Sequence, residues 1–258
     1  MKQQSISGSD LAEAVKTGGT NFQNLLVKGE VDLRGLKRTT SLRFTRMSFL
    51  GDLLLEKANL GRLSLEKVNF PEGDEKYGIF LAEACVSEVN IREVNVSGAI
   101  NAIGISVADF HLDESSADTL DFRSSSFSHL ASFSGVKTRW AFFDAIKAAN
   151  FGIYSRFEVE ERVSLTAAKV AGEFVLSGLS VGGHLDLTDI LFEDRMMRFE
   201  DQNTGFAAKV GEGVVCGTDP ALALKCMAFF CPKGTSVSAD FGEITKMLRM
   251  LCAQKPSN

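Results

Sequence analysis

An eleven-residue repeat is the feature that most limits how this chain can fold. Each copy has an apolar residue at position 1, Gly at 3, a polar residue at 4, an apolar residue at 5, Leu at 7 and an apolar residue at 10. Four copies occupy residues 27–36, 49–58, 170–179 and 181–190. Self-similarity at a fixed period is the signature of a repeat architecture. The chain is therefore predicted to fold as a stack of similar units.

Within the repeat, apolar residues recur in steps of five or six. The clearest run is Leu165, Val170, Leu176, Val181, Leu187 and Phe192. Steps of this size wander around a helix of 3.6 residues per turn and mark no helical face. They leave room only for very short strands between corners. The sequence therefore predicts an all-β protein, a coiled β-solenoid.

Six five-residue segments start with a small or apolar residue, continue with Asn or Asp, and then carry Leu, Ile, Val or Phe. They are residues 58–62, 89–93, 94–98, 108–112, 149–153 and 239–243. This pattern resembles that of the pentapeptide-repeat family. The resemblance implies a right-handed quadrilateral parallel β-helix, in which the central Leu or Phe and the residue two before it point inward. An extra residue at alternate corners, often the repeat glycine, indicates a diverged relative with coils of about 20 to 22 residues.

The repeat pattern covers residues 20–192, with breaks expected near residues 71–78 and 114–116. Coils stacked about 4.8 Å apart would number about eight over this range. Phenylalanines at central repeat positions are predicted to form an internal ladder. They are Phe44, Phe49, Phe70, Phe110, Phe122, Phe127, Phe151, Phe174 and Phe192. Corner glycines are predicted to supply positive φ or tight turning.

The open ends of a solenoid need covers, because their backbone groups are unpaired. Residues 1–19 are assigned to an N-terminal capping segment, with a helix that starts at Ser9 or Asp10 and ends before Gly18. Residues 193–258 are assigned to an irregular segment or a continuing solenoid, followed by an amphipathic helix over 241–253.

The charge balance argues against broad nucleic-acid binding. The chain has 28 Lys and Arg against 33 Asp and Glu, a net charge of −5, whereas a broad binder normally carries a basic stripe. Residues 1–20 lack the apolar core of a secretory signal, and no uncharged apolar run is long enough to span a membrane. We therefore expect a cytoplasmic protein without a membrane span.

The sequence contains no recognisable catalytic, cofactor or metal motif. His111, His129 and His184 occupy repeat-surface positions, with no nucleophile elbow or phosphate-binding loop nearby in the sequence. Four of the five cysteines lie between Cys216 and Cys252, in mainly apolar contexts and without a Cys-x-x-Cys pair. We predict reduced, buried thiols, no catalytic residue, no cofactor and no metal site.

Arg139, Trp140 and Phe143 are the candidate protein-binding residues. Strand alternation sends Trp140 and Phe142 to one side and Arg139 with Phe143 to the other, so one aromatic side chain is expected to face outward. An outward aromatic residue beside an arginine is typical of an interface anchor. The alternative is that the segment around Met196 covers both sides.

The leading hypothesis is a non-enzymatic binding or scaffold protein that presents a rigid β-helical face to another protein, with homodimerisation through a solenoid end as a further arrangement. Two alternatives remain. A polysaccharide-active β-helix enzyme would need Asp, Glu, Arg or Lys clustered in a cleft along one face. The family resemblance also implies a DNA-mimicking protein that binds topoisomerases, which would need a continuous acidic stripe. A bacterial accessory module is a further version, for which no motif is present.

Overall fold

The computed structural model describes residues 3–73, 75–192, 197–201 and 206–239. Over these residues the chain forms a parallel β-solenoid of about ten turns, consistent with a right-handed β-helix with small capping helices. This confirms the predicted fold class. One short antiparallel pair, Glu200–Asp201 with Phe206–Ala207, interrupts the parallel stack.

The described residues contain 30 strands, two α-helices and one 3-10 helix, Cys231–Lys233. In the first half these are β1 (Gln4–Ser7), α1 (Gly8–Lys16), β2 (Asn21–Gln23), β3 (Leu25–Lys28), β4 (Val31–Asp32), β5 (Lys37–Thr45), β6 (Ser48–Leu50), β7 (Leu53–Leu54), β8 (Asn59–Glu66), β9 (Asn69–Phe70), β10 (Ile79–Phe80), β11 (Cys85–Arg92), β12 (Asn95–Val96), β13 (Ala99–Asn101), β14 (Ser106–Asp113) and β15 (Ser116–Asp121). The second half contains β16 (Ser126–Ser134), β17 (Lys137–Phe142), β18 (Lys147–Ser155), β19 (Phe157–Ser164), β20 (Lys169–Val170), β21 (Phe174–Val175), β22 (Leu179–Val181), β23 (His184–Asp186), β24 (Leu191–Phe192), β25 (Met197–Arg198), β26 (Glu200–Asp201), β27 (Phe206–Ala207), β28 (Lys209–Val210), β29 (Gly213–Val215), α2 (Pro220–Phe230) and β30 (Ser236–Ser238).

The strands assemble into two long parallel sheets, of 17 and 11 strands among the described residues. Each residue pairs with its counterpart one coil later. Val27 pairs with Phe49, a step of 22 residues (49 − 27), and Ala131 pairs with Phe151, a step of 20 (151 − 131). These steps match the predicted coil length.

Inward side chains show how the eleven-residue period arises. In one coil the buried apolar residues that recur with this period are Leu165, Ala168, Val170, Phe174, Leu176, Leu179, Val181 and Leu185; Val175 and Ser177 are buried as well. The steps between the recurring residues run three, two, four and two, and then repeat. A step of two stays on one flat face, because alternate strand residues point the same way. The three-residue step is therefore a tight corner, and the four-residue step is a wide corner with one extra residue.

The two corner types need different residues. Some tight corners, such as the one between Leu165 and Ala168, hold a residue in the left-handed conformation, and Ala145, with φ of 54°, shows that it need not be glycine. Wide corners hold the repeat glycines. Gly29 has φ of 81°, but Gly183 is not left-handed, and a Cβ there would lie 2.0 Å from the carbonyl oxygen of Glu161. The predicted role of positive φ thus applies to Gly29, whereas Gly183 is needed for close approach between coils.

Rings fill much of the solenoid interior. Eight of the nine predicted ladder members are buried, as expected, and the side chain of the ninth, Phe192, is not described. The ring contacts form two groups, one from Phe44 to Phe70 and one from Phe110 to Phe174. Phe49 and Phe70 stack with ring centroids 5.0 Å apart. Burial of these rings and the flanking aliphatic side chains supplies the main stabilisation of a solenoid whose backbone pairs only with neighbouring coils.

The five-residue segments follow the implied inward pattern only in part. At residues 58–60, Ala58 and Leu60 are both buried, as the resemblance implies. At residues 108–110, Phe110 is buried but Ala108 lies in a corner and is half-buried, and the inward partner of Phe110 is Leu112. The same small-polar-apolar pattern therefore occurs in two different frames relative to the corners.

Helix α1 packs on the first coil and begins earlier than predicted. Ser7, rather than Ser9 or Asp10, is the N-cap, and its Oγ accepts a hydrogen bond from the backbone N–H of Asp10 at 3.0 Å. Ser7 takes this role because it ends strand β1 in the extended conformation that an N-cap requires. Leu11 and Val15 on the inner face are fully buried.

Arg38 fastens α1 to the first coil. Arg38 pairs in register with Leu60, so the equivalent position in the next coil holds a buried apolar residue. Its guanidinium donates to the carbonyl oxygens of Val15 at 2.8 Å, Gly18 at 2.8 Å and Gly19 at 2.7 Å. These bonds satisfy carbonyl groups at and just beyond the C-terminal end of the helix, some of which would otherwise lack partners.

Helix α2 near the C-terminal end was not predicted, although its signal is present in the sequence. Asp219 is the N-cap, and its Oδ1 accepts from the backbone N–H of Ala221 at 2.8 Å and of Leu222 at 3.3 Å. Pro220 follows at the first helical position, where proline is favoured. The predicted helix over 241–253 lies outside the described residues.

The solenoid is interrupted at one of the two predicted breaks. The break at residues 71–78, called the excursion below, is present and lengthens the step from Leu63 to Val89 to 26 residues (89 − 63). The break expected at 114–116 is wrong, because Glu114 is an ordinary left-handed corner residue with φ of 46°. Strands β28, β29 and β30 continue the parallel pairing beyond residue 192.

Candidate functional site

The structure places two of the three predicted interface residues on the outer surface. Arg139 is exposed and Trp140 is partly exposed, but Phe143 is completely buried. The register of strand β17 shifts directly before Trp140. The chain turns a corner between Thr138 and Ala141, which are both buried. From there Ala141 and Phe143 point inward, and Trp140 and Phe142 point outward. The expectation that Phe143 shares the outer side with Arg139 is therefore wrong, and Phe142 is the second surface aromatic residue.

Trp140 and Phe142 form a pair of stacked rings, called the platform below. Their ring centroids are 6.4 Å apart and the ring planes differ by 7°. The Cζ atom of Arg139 lies 5.6 Å from the centroid of the Trp140 ring, and that of Arg123 lies 5.6 Å from the centroid of Phe142. These distances permit cation–π attraction. The four residues Arg123, Arg139, Trp140 and Phe142 are called the aromatic–arginine surface below.

Carboxylates hold both arginines in place. Arg123 makes a bidentate contact with Asp121, with Nη2–Oδ2 at 2.6 Å and Nε–Oδ1 at 2.9 Å. This contact raises the pKa of Arg123 above its usual value. Arg139 Nη2 lies 3.2 Å from Glu161 Oε1. These contacts restrain the two guanidinium groups, that of Arg123 through a bidentate pair and that of Arg139 through one exposed carboxylate.

Neighbouring coils flank the platform on both sides. Trp140 pairs in register with Thr119 on one side and Arg162 on the other. Arg162 in turn contacts Asp186, with Nη2–Oδ2 at 2.7 Å. The platform is thus part of a continuous sheet face. The alternative, in which the segment around Met196 covers these aromatic residues, involves a residue that lies outside the described ranges.

A groove of about 400 Å³ with a mixed polar and apolar lining lies on the adjoining face, beside the excursion. Its floor includes Asn95 and Ser116, which pair in register, and Ser116 Oγ donates to Asn95 Oδ1 at 2.9 Å. Lys76 Nζ reaches Asp118 Oδ2 at 3.0 Å and joins the excursion to the sheet. We call this cavity the side groove, and Arg139 also lines it. The side groove and the aromatic–arginine surface therefore share one residue at the corner between two faces.

Opposite charges pair between consecutive coils along much of the described surface. The pairs include Arg43–Glu66, Arg62–Glu88, Lys57–Glu83, Lys67–Glu93, Lys137–Glu158 and Arg162–Asp186. The guanidinium of Arg43 lowers the pKa of the Glu66 carboxyl group. At these positions the surface alternates in charge along the stack.

The histidines and cysteines of the described ranges form no reactive centre. His184 and His129 are exposed, as predicted, and His184 Nε2 contacts Glu212 Oε2 at 2.7 Å. Cys216 and Cys226 are buried, but Cys85 and Cys231 are exposed, contrary to expectation. Among the described residues, no three His, Cys, Asp or Glu side chains are grouped as metal ligands would be.

Neither of the two helices in the described part of the chain is long and apolar enough to cross a membrane.

In comparisons with known proteins, no family model, curated protein or solved structure matches this chain. The structure supports a β-helical repeat protein in general. Membership of the pentapeptide-repeat family stays a prediction based on the sequence pattern.

Proposed function

We propose that this protein is a non-enzymatic binding protein whose solenoid presents the aromatic–arginine surface to a protein partner. The observation that carries the proposal is the stacked, nearly parallel pair of Trp140 and Phe142 rings, each with an arginine at its ring. Trp and Arg are enriched among the residues that dominate interface energies, and aromatic residues are enriched at interface centres.

The solenoid also lowers the entropic cost of binding. Strand β17 is paired on both sides, with β15 and β19. Ala141 and Phe143 anchor it from inside, because both are fully buried. A platform held in this way loses little conformational freedom when a partner docks, and pre-organisation of this kind favours affinity.

Glycan binding or cleavage is the second candidate, and the side groove is the observation that favours it. Asp118, Glu160, Lys137 and Arg139 line this groove on one face, which is the kind of cleft that a polysaccharide-active enzyme would use. The DNA-mimic alternative receives no comparable support, because basic residues alternate with acidic ones along the described charge pairs.

The proposal is tested by affinity capture from a cytosolic bacterial lysate with the full chain as bait. The test variant carries Trp140→Ala and Phe142→Ala. The control carries Leu50→Ala and Leu224→Ala, which remove two exposed apolar side chains elsewhere. We expect a stoichiometric protein that both the unmodified chain and the control retain and the test variant loses. Purified partner and full chain should then bind by calorimetry with the same dependence on Trp140 and Phe142.

Retention of the same proteins by all three baits would overturn the proposal. The second candidate is tested with a panel of soluble polysaccharides, by binding and by release of reducing ends. Binding that is lost in Asp118→Asn would favour the glycan function over the protein-binding function.

A further inference from the structure

A second groove, of about 660 Å³, lies on the next face of the solenoid, five residues along the chain from Phe142. Ser126, Lys147, Lys169 and Leu191 form one column along it, each paired in register with the next. Ala149 and Ala171 lie beside this column and also line the groove. We call it the lysine groove.

Lys147 and Lys169 depart from the pattern of opposite charges between coils. Glu88 and Asp109 are also like charges in register, but each of them contacts a basic side chain. Lys147 and Lys169 are like charges paired in register on consecutive coils, about 4.8 Å apart at the backbone. Like charges directly opposite each other destabilise a sheet. Neither lysine makes an ion pair within the described residues, and no described carboxylate lines the groove.

The carboxylates of Asp144 and Glu173, close to the lysines in the sequence, contact other groups. Asp144 Oδ1 accepts hydrogen bonds from the hydroxyl of Ser164 and, at 2.9 Å, from the backbone N–H of Thr166. Glu173 pairs with Arg198. The two ammonium groups therefore have no built-in counter-charge in the described structure.

The rest of the groove is small or apolar. Ala149 and Ala171 leave space above the sheet, and the hydroxyl groups of Ser126 and Ser128 offer hydrogen-bond donors. Leu191, at one end of the column, is 57% exposed. A ligand could thus satisfy the lysines with a charged group and cover Leu191 with an apolar one.

We propose that the lysine groove binds a small organic phosphate monoester. The dianionic phosphate bridges Lys147 and Lys169, and so replaces their mutual repulsion with two charge-assisted hydrogen bonds. The apolar substituent lies over Ala171 towards Leu191. This site is on a different face from the aromatic–arginine surface, so it does not depend on the proposed protein-binding function.

The test is a titration of the full chain, with phenyl phosphate as the probe and calorimetry and amide NMR shifts as readouts. Inorganic phosphate, benzoate and benzyl alcohol are the comparison ligands. We expect phenyl phosphate to bind more tightly than each of them and to shift the amides of Ala149 and Ala171. The double variant Lys147→Gln, Lys169→Gln should weaken its binding at least about tenfold.

The matched control is Lys28→Gln, Lys209→Gln, which removes two exposed lysines that make no ion pair in the described structure. This control should bind phenyl phosphate as tightly as the unmodified chain. A third variant, Ala171→Leu, fills the groove without changing charge and should also weaken binding, while thermal unfolding confirms that it folds. Equal affinity in all variants would overturn the site. Phenyl phosphate binding no tighter than inorganic phosphate would overturn the apolar part of the proposal.

Discussion

Phe122 and Phe143 stack inside the solenoid on consecutive coils, with ring centroids 5.6 Å apart and ring planes 11° apart. Phe142, one residue earlier than Phe143, lies on the outside against Arg123. Two phenylalanines that are adjacent in sequence therefore have opposite environments. One contributes to the core, and the other to the candidate interface.

This difference predicts unequal effects on stability. Phe143→Ala should lower the free energy of unfolding by about 3–5 kcal/mol, because it leaves a cavity in the ring-filled core. Phe142→Ala should cost about 1 kcal/mol or less, since the side chain is partly exposed. Urea unfolding at 25 °C measures both. Similar losses in the two variants would contradict the assignment of inner and outer sides.

Gly183 is predicted to be essential at its corner because of close approach between coils. A Cβ there would lie 2.0 Å from the carbonyl oxygen of Glu161, whereas a Cβ on Gly73 would have its nearest neighbour at 4.0 Å. Gly183→Ala should therefore lower the free energy of unfolding by about 1–3 kcal/mol, as overpacking typically does. Gly73→Ala is the control and should leave the thermal unfolding midpoint unchanged or slightly raised. If both variants unfold at the same temperature, the close contact is not real.

Replacing alanine by glycine should have opposite effects at two positions. Ala145 has φ of 54°, a conformation that costs an L-residue about 1–2 kcal/mol. Ala145→Gly should therefore stabilise the protein by up to about 1 kcal/mol after the entropic cost of glycine is subtracted. Ala149 lies within strand β18, so Ala149→Gly should destabilise it by about 0.5–1 kcal/mol. Chemical denaturation should show a higher free energy of unfolding for Ala145→Gly and a lower one for Ala149→Gly. A lower value in both variants would contradict the left-handed conformation of Ala145.

The pH dependence of stability should contain a contribution from Asp32. Hydrogen bonds from Arg34, with Nη2–Oδ2 at 2.8 Å, lower the pKa of Asp32 from 3.8 to about 2. A carboxyl pKa that is lower in the folded state gives stability that is present above pH 3.8 and is lost as the pH falls towards 2. Asp32→Asn should thus be less stable than the unmodified chain at pH 7, and the difference should shrink between pH 4 and pH 2.

Urea unfolding across this pH range provides the measurement for Asp32. Glu72→Gln, at an exposed carboxylate that has no ion pair in the described structure, serves as the control. Its difference in stability from the unmodified chain should stay constant. A constant difference for Asp32→Asn as well would show that the contact with Arg34 does not stabilise the folded state.

Some features that the sequence analysis missed left no decisive local signal. Phe142 rather than Phe143 faces outward because the chain turns a corner between the buried residues Thr138 and Ala141, and strand alternation alone does not reveal this corner. Helix α2 is different, because Asp219 and Pro220 form a recognisable N-terminal signal. The early start of α1 at Ser7 follows from the pairing of β1 with β3, a contact between residues far apart in the chain.

The sequence by itself determined the solenoid, because apolar residues at steps of five, six and eleven can all be buried only in short strands separated by regular corners. It also determined the phenylalanine core, since those rings occupy the inward positions of the repeat. The tertiary structure alone decided which residues meet on the surface. Lys147 and Lys169 are 22 residues apart in the chain and become neighbours only when two coils pair in register. Their repulsion, like the alignment of Trp140 with Arg162, is a property of the stack, because the register between coils decides which outward side chains share a column.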